Sequence, residues 1–209
     1  MVTKAVIFDL WGTLVENGVH SPIKQVKDIL NIRLPFSEYV IRMENAMMTK
    51  EFSSLRDAFI AVGREFGIEC PDFILDELVG IWNKSWMLAE PYTETIQVLE
   101  DLQNKYQLIL VSNTDHFSAS KVIEKYHLEQ YFNHVLLSCK TGLLKMNPEC
   151  LLGVVEDLNL TIDECVMVGD SMQSDIKAAE AIGMRAILID RRNSRDYSPR
   201  VQDLRDLEL

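Results

Sequence analysis

Short apolar runs rich in branched side chains punctuate the chain: KAVIFD (4–9), QLILVSN (107–113), HVLLSC (134–139), CVMVGD (165–170) and RAILID (185–190). Each is too short for a buried helix and ends on polar or turn-forming residues, the pattern of strands covered on both faces. Between the last four runs, helical periodicity over 116–127, 147–158 and 174–183 makes strands and helices alternate. This predicts an α/β core, a doubly wound, Rossmann-like parallel sheet. From about 21 to 105 the pattern changes, and apolar residues recur at three and four in VIRMENAMM, LRDAFIAVGREF and FILDELVGIWNKSWML. Four helices inserted after the first strand would form a small bundle, with Met47, Met48, Trp82 and Trp86 on its inner faces. Pro91 and Thr93, in AEPYTET, mark the return to the core and a helix start. The expected division is a core domain of residues 1–16 and 92–209 with a helical cap of 17–91.

Composition narrows the setting. A chain of 209 residues that is 47% hydrophobic can bury a full core. Its formal net charge of −11 and the lack of a basic stripe interleaved with aromatics argue against nucleic acid and favour a small-molecule substrate. No stretch approaches the roughly 18 uninterrupted apolar residues of a membrane span, and MVTKAVIFDL enters a strand pattern without a secretory signature. A soluble, cytoplasmic protein is expected. Cys70, Cys139, Cys150 and Cys165 lack paired spacing, which predicts free thiols in a reducing compartment rather than a zinc site or disulfides.

In an open parallel sheet, ligands sit beyond the carboxyl ends of the strands. Those ends carry Asp9, then Ser112 and Asn113, then Ser138 followed by Lys145, then Asp170 and Asp175. Singly, such residues are usually turn formers, helix caps or solvated charges. As an ordered set, FDLWGTL, VSNTD, GLLKMNP and VGDSMQSD resemble the four motifs of the haloacid dehalogenase superfamily, over essentially the whole chain, with the insertion similar to that family's helical cap. The resemblance implies a hydrolase acting through a covalent aspartyl intermediate, with Asp9 as nucleophile. Ser112 and the Asn113 backbone N–H would bind the substrate's non-bridging oxygens. Lys145 would neutralise charge between nucleophile and substrate, and Gly12 and Thr13 would form the tight turn after the nucleophile. It also implies a Mg²⁺ site made by Asp9, the Trp11 carbonyl and Asp170, with Asp175 behind them or bound through water. Met146 follows Lys145 where the family often has proline, which comes here at Pro148.

Trp11 is the main departure, since the family's second aspartate usually stands there. Its carbonyl remains available to a metal, but an indole N–H does not exchange its proton at neutral pH. General acid–base help worth about 10²–10⁴ in rate is therefore missing from this position. A magnesium-dependent phosphatase working on a small phosphorylated substrate is the first reading, supported by the paired carboxylates of motif four. A 2-haloacid dehalogenase is the second, because halide departs without a proton and that branch also lacks the aspartate; Arg42 in the insertion is a candidate for the arginine such enzymes use. A ligand-binding protein without turnover is the third. The cap should act as a lid with hinges near Glu16–Gly18 and Ala89–Tyr92.

Overall fold

The computed structural model describes residues 2–16 and 21–209. Strand β1 (Ala5–Phe8) is followed by the inserted helices α1 (Pro22–Ile29), α2 (Phe36–Met47), α3 (Leu55–Glu65) and α4 (Asp72–Leu88). The chain then runs through α5 (Thr95–Leu102), β2 (Gln107–Ser112), α6 (Ala119–Lys125), β3 (His134–Leu137), the single turn α7 (Ser138–Thr141), α8 (Pro148–Asp157), β4 (Cys165–Gly169), α9 (Lys177–Ala181), β5 (Arg185–Ile189) and β6 (Arg200–Val201). The strands form one parallel sheet in the order β3-β2-β1-β4-β5-β6. Strand order reverses at β1, so the crevice beyond its carboxyl end is the expected ligand position.

Side-chain alternation along β1 divides the core. Val6 and Phe8 join an apolar cluster on one face of the sheet, Ala5 and Ile7 another on the opposite face. Both faces are thus covered by helices, as the unbroken apolar runs require. The inserted helices have an apolar core of their own, built on Tyr39, Met43, Met47, Phe59, Leu78 and Trp82, to which the main domain contributes Leu144.

Several boundaries differ from the periodicity. Helix α6 begins at Ala119 rather than 116, because the Asp115 carboxylate accepts the backbone N–H groups of Phe117 and Ser118 and holds a turn there. The helix expected from 174 starts earlier, as a wide π-type turn over Met172–Ile176 that continues into α9. Trp86 is not in the bundle's core: it packs against the cluster on the sheet and donates to Asn83 Oδ1 at 2.9 Å. β6, only two residues long and partly exposed, has no alternation to betray it.

The two chain passages between sheet and cap run side by side. Glu16 N–H donates to the Glu90 carbonyl at 2.9 Å, and Tyr92 N–H to the Leu14 carbonyl at 3.1 Å. Of the expected hinge, Asn17 and Gly18 lie outside the described residues. All four cysteines are free thiols, and among the described residues no helix is long and apolar enough to cross a membrane.

Candidate active site

Asp9 follows β1 directly, its N–H held by the Val168 carbonyl of β4 at 3.0 Å. The chain must then turn sharply, and Gly12 does so at φ 79°, a left-handed conformation that side chains disfavour. Lys145, 2% exposed, is the centre of the charges. Its Nζ donates to Asp9 Oδ1 at 2.6 Å and to Asp175 Oδ1 at 2.5 Å. The other Asp175 oxygen accepts the Ser171 N–H at 2.8 Å, and Thr13 Oγ1 lies 3.5 Å from Asp9 Oδ2.

Carboxylate oxygens of Asp9, Asp170 and Asp175 lie within 4.8 Å of one another. Burial raises Asp9 to about 6, with Lys145 working against the rise and Asp175 adding to it. Asp170 is pushed up to about 8, first by burial, then by the charges of Asp9 and Asp175, with Arg195 and Lys145 opposing. Burial disfavours the Lys145 charge, but Asp175 and Asp9 overcome it and hold the ammonium protonated. A pocket of three acidic groups around one lysine, poorly solvated, is short of positive charge, and hard oxygen donors suit Mg²⁺. The cluster fits such an ion. Both Asp175 oxygens are already engaged, by Lys145 and the Ser171 N–H, which leaves Asp9 Oδ2 and the Asp170 carboxylate as the freer side-chain donors toward such an ion.

These groups open into a cavity of about 400 Å³ between sheet and cap. Asp9, Lys145, Asp170, Asp175, Asn113 and Trp11 line it; Ser112, Gly12 and Thr13 do not. The Ser112 hydroxyl is buried without a hydrogen-bond partner among the described residues. The indole of Trp11 donates to Thr114 Oγ1 at 3.3 Å. Arg42 is displaced from the expected role: its guanidinium donates to Glu65 Oε1 at 2.7 Å and to the Glu65 carbonyl at 2.8 Å, and covers the Phe66 ring at 4.8 Å. It is a half-exposed surface pair and does not reach the cavity.

From α2 and its C-terminal edge Phe36, Ser37, Val40, Glu44 and Met48 reach the cavity, and all but Ser37 form a stripe at intervals of four on one helix face. Glu44 was not anticipated. It is buried, and its Oε2 accepts from Asn113 Nδ2 at 2.8 Å, while Asn113 Oδ1 accepts the Lys145 N–H at 2.9 Å. A glutamate inside an otherwise apolar stripe was the available signal. Arg195, also unanticipated, lines the cavity and donates to the Asp170 carbonyl. The cap is tied down further by Trp82 Nε1 to Asp115 Oδ2 at 2.9 Å and by Ser138 Oγ, which donates to the Met48 carbonyl at 2.6 Å.

With Asp9, Lys145 and two further carboxylates converging beneath the inserted helices, the comparison with known proteins is direct. The family model of the haloacid dehalogenase-like hydrolases matches residues 3–183, and the chain belongs to that family. A curated relative, the glyceraldehyde 3-phosphate phosphatase of Methanopyrus kandleri, is 24% identical over 96% of this chain and 89% of its own length. Among solved structures, a putative HAD-hydrolase from Bacillus subtilis bound to magnesium superposes with a TM-score of 0.67 at 17% identity, covering 98% of this chain and 96% of that one. A 2-haloacid dehalogenase from Pseudomonas syringae gives 0.65 at 20% identity, covering 97% and 95%. The two structural likenesses establish the fold alone, which phosphatase and dehalogenase chemistry share.

Proposed function

We propose that the protein is a magnesium-dependent phosphatase acting on a small phosphorylated substrate through an aspartyl-phosphate formed on Asp9. The observation that carries this reading is the pairing of Asp9 with Lys145 at 2.6 Å beside a cluster of three carboxylates within 4.8 Å. A dehalogenase has no dianionic group to neutralise and no use for such a cluster. The curated relative's phosphatase activity points the same way.

In this reading the Asp9 carboxylate attacks phosphorus while Lys145 holds it in position, so that an intermolecular step becomes an intramolecular one. The bond from phosphorus to the ester oxygen breaks and the alcohol leaves. Water then attacks the aspartyl-phosphate, releasing inorganic phosphate and restoring Asp9. Lys145 offsets the phosphoryl charge, and Asp175 holds Lys145 in place. Bound magnesium supplies the remaining positive charge that two facing anions need. Asn113 positions the Lys145 backbone, and the closed cap excludes water.

Purified protein and its Asp9→Asn variant are assayed with 4-nitrophenyl phosphate, with and without Mg²⁺, and with 2-chloropropionate under halide detection. Phosphate release that requires Mg²⁺ and disappears in the variant is the expected result. Metal-independent chloride release without phosphate release would replace this reading with dehalogenation.

A further inference from the structure

Trp11 leaves the proposed phosphatase without a proton carrier where the family's motif would place one, yet the leaving alcohol still needs a proton. In an in-line displacement the leaving oxygen departs on the side of phosphorus opposite Asp9, away from the sheet and toward the cap. Among the described residues lining the cavity, the cap supplies apolar groups, hydroxyls and one ionisable side chain, Glu44. The other acidic residues there are committed. Asp175 holds Lys145 and the Ser171 N–H, Asp9 is the nucleophile, and Asp170 stands in the carboxylate cluster. Asp115 accepts from Trp82 Nε1, Phe117 N–H, Ser118 N–H and the Ser118 hydroxyl. Glu44 keeps Oε1 free of hydrogen bonds to the described residues, while Asn113 fixes Oε2 at 2.8 Å and, through its own Oδ1, ties Glu44 to the Lys145 backbone.

We propose that Glu44, reaching in from the cap, is the general acid and base of the phosphatase and takes over the role that Trp11 cannot fill. This rests on the phosphatase reading above. Protonated Glu44 gives its proton to the ester oxygen as the bond to phosphorus breaks, leaving a neutral alcohol and a carboxylate. That carboxylate then takes a proton from the water attacking the aspartyl-phosphate, which returns Glu44 to its starting state. Because Glu44 belongs to α2, the acid is in place only when the cap is closed, which couples chemistry to closure.

The electrostatics agree with this geometry. Burial raises Glu44 to about 7, against the Asn113 hydrogen bond and the Lys145 charge and together with Asp175 and Asp9. A group poised near neutrality suits proton transfer in both directions. The charged residues of α3, the helix packed on α2, are Arg56, Asp57, Arg64 and Glu65; Arg56 engages Asp72 and Asp76, Asp57 engages Ser54, and Glu65 engages Arg42.

The test is kcat/KM of wild type and Glu44→Gln on a series of para-substituted phenyl phosphates, equal in shape and graded in leaving-group pKa. For phenyl phosphate the variant should lose on the order of 10²-fold, and for 4-nitrophenyl phosphate, whose leaving group departs as the anion, much less, so the dependence on leaving-group pKa steepens. Glu44→Asp should give an intermediate slope, and it replaces the glutamine variant as the test if that protein's melting shows it unfolded. The side-chain carboxyl of Glu44, followed by ¹³C NMR in the wild type, should titrate well above the ordinary glutamate range. An equal loss across the whole series, no loss, or an ordinary titration overturns the proposal. If wild type releases no phosphate from any ester, the phosphatase reading itself has failed, and this one falls with it.

Discussion

At Gly169 a single methyl group decides whether the site can assemble. A Cβ built there would lie 2.2 Å from Asp175 Oδ2 and 2.6 Å from its Cβ, so any side chain drives Asp175 out of place. Asp175 is what holds Lys145 from the side away from Asp9, and it also binds the Ser171 N–H at the start of the turn into α9. Gly169→Ala should therefore cost about 1–3 kcal/mol of stability by overpacking and should lower turnover far more than the loss of stability explains. Denaturant unfolding and phosphate release on the same preparation measure the two effects separately. A variant with reduced stability and unchanged turnover would show that Lys145 keeps its position without Asp175.

The elements explain what the sequence disclosed and what it concealed. β1, β2, β4 and β5 are legible because a strand buried on both faces must be continuously apolar, β3, at the sheet edge and only partly buried, because its short apolar run is bounded by polar residues, and the four cap helices because their buried faces recur at three and four. Motif residues Asp9, Lys145 and Asp170 fall at strand ends or in the loops beyond them, and Asp175 in the helical turn that follows β4, where the topology of the sheet brings them together. Arg42 and Glu44 show the limit. Two positions apart on a helix, they point to nearly opposite sides, so only one can face the cavity. Periodicity does not say which, because the cavity wall opposite α2 belongs to residues some 70 positions further on, such as Asn113. The same separation hides the cap-to-core contact of Trp82, which reads as a bundle core residue and is one, with Phe59 at 5.6 Å edge-on, while its indole N–H reaches Asp115 in the main domain. Trp82→Phe keeps the aromatic packing and removes that tie. The expected result is a loss of about 1–2 kcal/mol and a cap that opens more readily, seen as faster proteolysis of the linker near Ala89–Tyr92 and a raised KM. Equal proteolysis rates would mean that the remaining contacts, Asn113 with Glu44 and Ser138 with Met48, suffice to hold the cap.

For the molecule as a whole, the buried carboxylates set the response of stability to pH and to metal. Asp9 at about 6, Asp170 at about 8 and Glu44 at about 7 all lie above their unfolded values of about 4. Between those limits the unfolded chain has ionised these groups while the folded protein still holds their protons. The folded state therefore binds more protons, and stability falls as pH rises through this range, reaching its floor above about 8. Glu164 and Asp203, both lowered to about 2, change their contributions only at more acidic pH and leave the trend intact. Melting temperature in the absence of divalent cations should thus decrease from about pH 5 to about pH 8.5. On the proposed reading Mg²⁺ competes with protons for Asp9 and Asp170, so its stabilisation should run the other way, small at pH 5 and largest at pH 8.5. At a hundredfold excess over Kd it amounts to about 2.7 kcal/mol, or roughly 5–10 °C for a chain of this length. Asp170→Asn removes the group with the largest rise in this window; it should flatten the metal-free pH trend and abolish the magnesium shift together. A magnesium shift that is the same at both pH values, or that survives in Asp170→Asn, would place the ion elsewhere and separate the metal from the carboxylate cluster.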